Sequence, residues 1–277
     1  MTIISNPDKT TEHSFKLALS TRQKHIMDRL YQSNGELSTS DITSQFNVTI
    51  QTIRRDLNEL SKLGMVRRVH GGINLPSSNQ NVSFSNRTIM NLEAKRKIAR
   101  KVVELLPADT SVFLGIGTTP QQVAQALLDH PGLTVVTNNI NVALTLCQNK
   151  NIQTHLAGGK VRANDQDLMG IETIEFMRNY NIQYGVFGVG GLSRKGQLLD
   201  FSPDESSISR AIVNNSETKI LVADHTKLNR YAPVITAQIE EVDFLIMDII
   251  SDPICKLCEK HNIEMFEVGS GLERNKC

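Results

Sequence analysis

The chain has 277 residues, 39% hydrophobic and 21% charged, with a formal net charge of +1. That suits one or two packed cores and excludes a disordered polyelectrolyte. No apolar run approaches the roughly eighteen residues of a membrane span, and cysteines at 147, 255, 258 and 277 make no regular disulfide framework.

In chain order, residues 1–20 mix Asp8 and Glu12 with Lys9 and Lys16 and hold no long apolar segment. This predicts a disordered extension, no secretory signal, and a reduced, cytoplasmic protein. Residues 21–75 then read as a winged helix-turn-helix. Ile26 and Leu30 mark a first helix; Ser38 followed by Asp41 opens a second with a capping box, and Phe46-Asn47-Val48 is the turn after it. Ile50, Ile53, Leu57 and Leu60 recur at steps of three and four, so a third helix presents one apolar stripe, with Thr49 at its N-cap. Its other face carries Gln51, Thr52, Arg54, Arg55, Asn58 and Lys62. Arg grips guanine edges and Gln or Asn adenine edges, so these residue types point to double-stranded DNA.

Gly64 ends that helix, and residues 65–70 and 73–75 read as two strands turning at Gly71-Gly72, with Arg67, Arg68 and His70 as a basic wing. Thr49, Gln51, Thr52 and Arg55 are expected at base edges, and Arg54, Lys62, Arg67, Arg68 and His70 at phosphates, in a homodimer or homotetramer placing helices in successive major grooves. Charge agrees in direction: residues 20–75 hold eight Lys and Arg against five Asp and Glu, and residues 76–277 hold twenty against twenty-two.

A polar, Ser- and Asn-rich stretch, 76–90, reads as a linker. Over 91–277, a helical pattern at 91–106 precedes short apolar runs at 111–116, 133–137, 152–156, 184–189, 219–223 and 242–247, alternating with helical segments. This predicts a Rossmann-like, mostly parallel α/β domain with a ligand at the carboxyl ends of its strands. The first such end, Gly117-Thr118-Thr119-Pro120, opens a helix with Pro at its first position, a geometry that suits an anion. Asn138, Gly190 and the cations Lys160, Arg162 and Lys227 lie at other strand ends. With Asp200, Asp204 and Glu205 for hydroxyls, they form a candidate site for a phosphorylated sugar or polyol. Asp204 and Glu205 read equally as helix caps, and His225 as a hydrogen-bonded loop histidine. Cys255 and Cys258 fit one face of a late helix as buried thiols, and no metal or cofactor is expected.

Thr52-Ile-Arg-Arg-Asp-Leu-Asn-Glu-Leu60, the wing Arg67-Arg-Val-His-Gly-Gly72, and the later Ile116-Gly-Thr-Thr-Pro120, Thr137-Asn-Asn-Ile-Asn-Val-Ala143, Leu156-Ala-Gly-Gly159 and Gly196-Gln-Leu-Leu-Asp-Phe201 resemble the DeoR-type bacterial transcriptional repressors from about residue 21 onward. The later motifs are most similar to the branch that governs glycerol 3-phosphate use. The resemblance implies an effector domain related in fold to sugar-phosphate isomerases and inactivation by a phosphorylated metabolite. Two loops, 162–167 and 202–205, depart from that branch where a ligand's hydroxyls would sit. The expected effector is therefore a phosphorylated sugar or polyol such as glycerol 3-phosphate, controlling a carbohydrate or polyol operon. The alternative from another class is a sugar-phosphate isomerase or deaminase with an accessory DNA-binding module, using Asp200, Asp204 or Glu205 as base and Lys160 or Lys227 as electrophile.

Overall fold

The computed structural model describes residues 19–33, 36–75 and 83–269; most of the expected disordered extension and the expected linker residues 76–82 lie outside these. Ser20 caps α1 (Thr21–Gln32) through a reciprocal box with Gln23. Leu19 is buried in the same domain, so Leu19 and Ser20, within the stretch expected to be disordered, belong to the fold. A strand absent from the sequence reading, β1 (Glu36–Ser38), precedes α2 (Thr39–Phe46), where the Ser38 hydroxyl accepts from the Asp41 N–H. Asn47 turns the chain in the left-handed region into α3 (Ile50–Lys62), capped by Thr49.

Ile53, Leu57 and Leu60 are fully buried, but Ile50 is 46% exposed. As the first residue of α3 it lies beyond the reach of the helical core and joins the polar face. Gly64, at φ +66°, closes α3 with the Met65 N–H on Leu60 O and the Gly64 N–H on Ser61 O, both inward-turning end bonds.

The wing pairs β2 (Arg67–Val69) with β3 (Gly72–Asn74), and β3 with β1, all antiparallel. The turn is His70-Gly71, not Gly71-Gly72. Gly72 belongs to the strand because a Cβ there would collide with the Leu37 carbonyl.

The expected linker 76–90 is not all linker: α4 (Phe84–Ile89) forms a helix packed between the two domains and leads into α5 (Leu92–Leu105). The second domain continues β4 (Thr110–Leu114), α6 (Thr118–Ala126), β5 (Leu133–Thr137), α7 (Ile140–Leu146), β6 (Ile152–Leu156), β7 (Lys160–Arg162), β8 (Asp167–Met169), α8 (Ile171–Arg178), β9 (Ile182–Phe187), β10 (Gly191–Leu192), β11 (Gln197–Asp200), α9 (Pro203–Asn214), β12 (Ser216–Ala223), β13 (Val234–Gln238), β14 (Phe244–Met247), α10 (Asp252–His261) and β15 (Glu264–Glu267).

Seven of these strands form a parallel sheet in the order β15-β14-β12-β9-β4-β5-β6. Apolar runs such as Val112-Phe113-Leu114 and Ile220-Leu221-Val222-Ala223 alternate between two separate cores, one on each face of the sheet. That double burial is why these strands read as continuous rather than alternating hydrophobic runs. Strand order reverses between β4 and β9, leaving a crevice beyond their carboxyl ends. A small antiparallel sheet, β10-β11-β13, and the hairpin β7-β8 wall it. On α10, burial pushes the Cys258 thiol up to about 12, while Cys255 is disulfide-bonded rather than the plain thiol expected.

Candidate functional site

Two surfaces carry the chemistry. On the first, Thr49, Gln51, Arg54, Arg55, Asn58, Lys62, Arg67, Arg68 and His70 are exposed, and Thr52 is half-buried with its hydroxyl 2.9 Å from that of Thr49. The α3 face and the wing thus hold all ten DNA-binding candidates, while Asp56, on the inner side of α3, is buried against Arg22. Arg55 is tethered by Glu59 at 3.3 Å across one helical turn.

The second surface is the crevice. β4 leads through Gly115 and Ile116 to Gly117, whose φ of +108° suits glycine, and the chain enters α6 with no side-chain cap on its first N–H groups. Pro120 is third in α6 rather than first, still within the turn whose N–H groups have no helical partner. Opposite, the Gly190 N–H donates to Asp200 at 2.9 Å, and the Thr236 hydroxyl donates to the other oxygen at 2.6 Å. Burial pushes Asp200 up to about 6 despite these bonds.

Gly117, Thr118, Thr119, Arg162, Gly190, Asp200, Glu205 and Lys227 line one cleft. Three expected members do not. Asn138 is fully buried and donates to Leu168 O at 2.8 Å, stitching β5 to β8. Lys160 is exposed at the start of the β7-β8 hairpin, and Asp204 is exposed in the first turn of α9, where its charge meets the helix dipole. Lys160 and Asp204 therefore do not join Asp200 in the cleft, whereas Glu205 and Lys227 do.

The cleft cations differ in their commitments. Arg162 makes a bidentate contact to Asp167, at 2.9 and 2.6 Å, and also bonds Glu205, so its charge is already balanced. Glu205 serves α9 as well, accepting from the Phe201 N–H at 3.1 Å. Lys227, in the turn after β12, has no ion-pair or hydrogen-bond partner among the described residues, and burial holds its ammonium well below the ordinary lysine range. Behind it, burial would raise Asp224, but Lys95 and Lys227 outweigh burial and hold it at about 2. Lys95, lowered by burial to about 8, donates to Met90 O at 2.7 Å and to Arg87 O.

Sequence reasoning missed Arg87 and Asp165, which both line the cleft and pair with each other. Arg87 lay in the presumed linker; the acidic loop Asp165-Gln166-Asp167 beside Arg162 was the available signal for Asp165. His225 is outside the cleft, bonded to Asp248 at 2.5 Å and 3.6 Å from Asp28 of α1. Burial opposes its charge, yet those carboxylates lift it to about 10.

Residues 22–79 match the DeoR-like helix-turn-helix domain and residues 90–249 the DeoR C terminal sensor domain. The chain is 40% identical to the glycerol-3-phosphate regulon repressor of Escherichia coli strain K12, over 82% of this chain and 90% of that protein. It is 36% identical to the protein of the same name from Haemophilus influenzae, over 89% and 96%. It is 31% identical to the HTH-type transcriptional repressor GlcR of Bacillus subtilis, over 87% and 93%. Among solved structures, ribose 5-phosphate isomerase A from Methanocaldococcus jannaschii overlaps 50% of this chain and 55% of its own, at 14% identity and a TM-score of 0.38. A winged recognition helix ahead of a parallel-sheet sensor domain, each matched to its own family over most of its length, places the chain in the DeoR family of transcriptional repressors.

Proposed function

We propose that this repressor acts on a carbohydrate or polyol catabolic operon, and that a phosphorylated sugar or polyol, such as glycerol 3-phosphate, releases it from its operator by binding at the crevice between β4 and β9. The observation that carries the reading is Lys227: a half-buried ammonium with no hydrogen bond or close ion pair to a carboxylate among the described residues, only a longer-range attraction to Asp224, in a cleft shared with the uncapped N-terminus of α6. A phosphate seated there accepts from Thr118, Thr119 and the Lys227 ammonium. Asp200 and the Arg162–Glu205 pair then face the hydroxyls. The names of the E. coli and H. influenzae relatives support the polyol phosphate class.

On the DNA side, Thr49, Gln51, Thr52 and Arg55 read base edges, with Asn58 on the same exposed face, and Arg54, Lys62, Arg67, Arg68 and His70 hold phosphates in a dimer or tetramer. A tenfold to hundredfold release requires the effector to favour the DNA-free arrangement by about 1.4–2.8 kcal/mol.

The test is the melting temperature of the full chain against a panel of phosphorylated metabolites, glycerol 3-phosphate included, with glycerol and sulfate as controls. A selective rise that is lost in Lys227→Met supports the cleft. A rise that persists unchanged in that variant places the phosphate elsewhere, and no rise with any compound removes the reading.

A further inference from the structure

We infer that α4 is the element joining effector to DNA, with Arg87 as a ligand-binding residue that the interdomain helix supplies to the cleft; this rests on the cleft being the effector site. Asn86 and Arg87 are consecutive, so on a helix their side chains diverge by about 100°. They do so across the domain boundary. Asn86, buried, donates its amide to the carbonyl of Leu63, the C-cap residue of the recognition helix. Arg87, with its side chain 12% exposed, reaches into the cleft and pairs with Asp165.

The other end of α4 is fixed as well. Lys95 donates to the carbonyls of Arg87 and Met90, and Met90 is packed in the core of the winged domain. A six-residue helix held this way moves as one piece.

A phosphate carries more charge than the Asp165 carboxylate and offers the same bidentate face to a guanidinium, so it takes Arg87 from Asp165. The shift of Arg87 toward the phosphate turns α4 and withdraws Asn86 from Leu63. The last turn of the recognition helix then loses a buried hydrogen bond and its fixed position relative to the sensor domain.

Amide hydrogen exchange on the full chain tests this, with glycerol 3-phosphate and inorganic phosphate as probes. In the wild type, residues 115–122 are expected to slow, while residues 60–66 speed up by about threefold or more. In Asn86→Ala, residues 60–66 exchange at the fast rate from the outset and do not respond, while 115–122 remain protected by the probes. In Arg87→Gln, residues 60–66 fail to respond even where added probe protects 115–122. Arg87→Lys, which keeps the charge, restores part of the response. A response of 60–66 in Asn86→Ala or Arg87→Gln equal to that of the wild type overturns the coupling, as does wild-type cleft protection with 60–66 unchanged. No protection of 115–122 by either probe removes the cleft reading itself, and the coupling with it.

Discussion

The recognition surface and the effector cleft are both rich in cations, but they hold them in opposite ways. On α3 and the wing, Arg54, Lys62, Arg67 and Arg68 are exposed, and water already solvates their charge. In the cleft, Arg87 and Arg162 are mostly buried and bound to carboxylates, and Lys227 is half-buried with no carboxylate in direct contact. An exposed cation adds affinity for a partner with little effect on the fold. A buried one is part of the fold, and its ligand competes with the residues that already hold it.

Arg162→Ala breaks that comparison most severely if it is wrong. Removing the guanidinium strands Asp167 and Glu205 in a buried site, and denaturant titration is expected to show a loss of roughly 3–5 kcal/mol. Lys227→Met removes an ammonium that bonds no carboxylate directly, and Lys95 remains to offset Asp224. Its stability is expected to stay level or rise, while affinity for a phosphorylated effector falls at least about tenfold, or about 1.4 kcal/mol, by calorimetry. Thr49→Ala, which deletes the cap of α3, costs about 1 kcal/mol in thermal unfolding. Arg54→Ala leaves unfolding within about 0.5 kcal/mol. It weakens binding to an operator selected from random duplexes and lowers the salt dependence by about one phosphate contact.

A pH-dependent effect comes from His225, paired with Asp248 and, across the domain boundary, with Asp28. His225 is raised from 6.5 to about 10, so its contribution to stability is complete below pH 6.5 and is lost as pH rises through 10. The larger part of that contribution comes from Asp248 and the smaller from Asp28, which is partly exposed and screened. Melting temperatures across that window should slope downward in the wild type and less in His225→Asn.

The winged domain was legible because its determinants are local. A cap, a 3.6-residue stripe and a glycine stop lie within twenty residues of one another, and the helix they specify presents its polar face wherever the rest of the chain goes. Ile50 misread only because the first residue of a stripe need not reach the core. In the sensor domain, doubly buried strands left apolar runs that located six of the seven strands in the large sheet. The strand-end rule placed Gly117, Thr118, Thr119, Gly190 and Lys227 at one cleft.

What the sequence did not reveal is set by distance. Arg87 meets Asp165 across 78 positions, and α4 is too short for a periodic signal. Asn138 shows the converse: an amide at a strand end serves a ligand or a neighbouring carbonyl with the same spacing, and only the position of Leu168 decides.

Met90 makes the two domains less separable than their families imply. It follows α4, at the entrance to the sensor domain, yet only 9% of its surface is exposed and it packs in the helix-turn-helix core with residues such as Leu19 and Ile26. Drawing the domains apart would pull that side chain into water at about 1.5–3 kcal/mol. The hinge therefore has a detent: a preferred setting with a threshold of the same order as the energy needed for release. A winged domain cut at the linker would leave a hole where Met90 belongs, and the excised fragment should be the less stable for it.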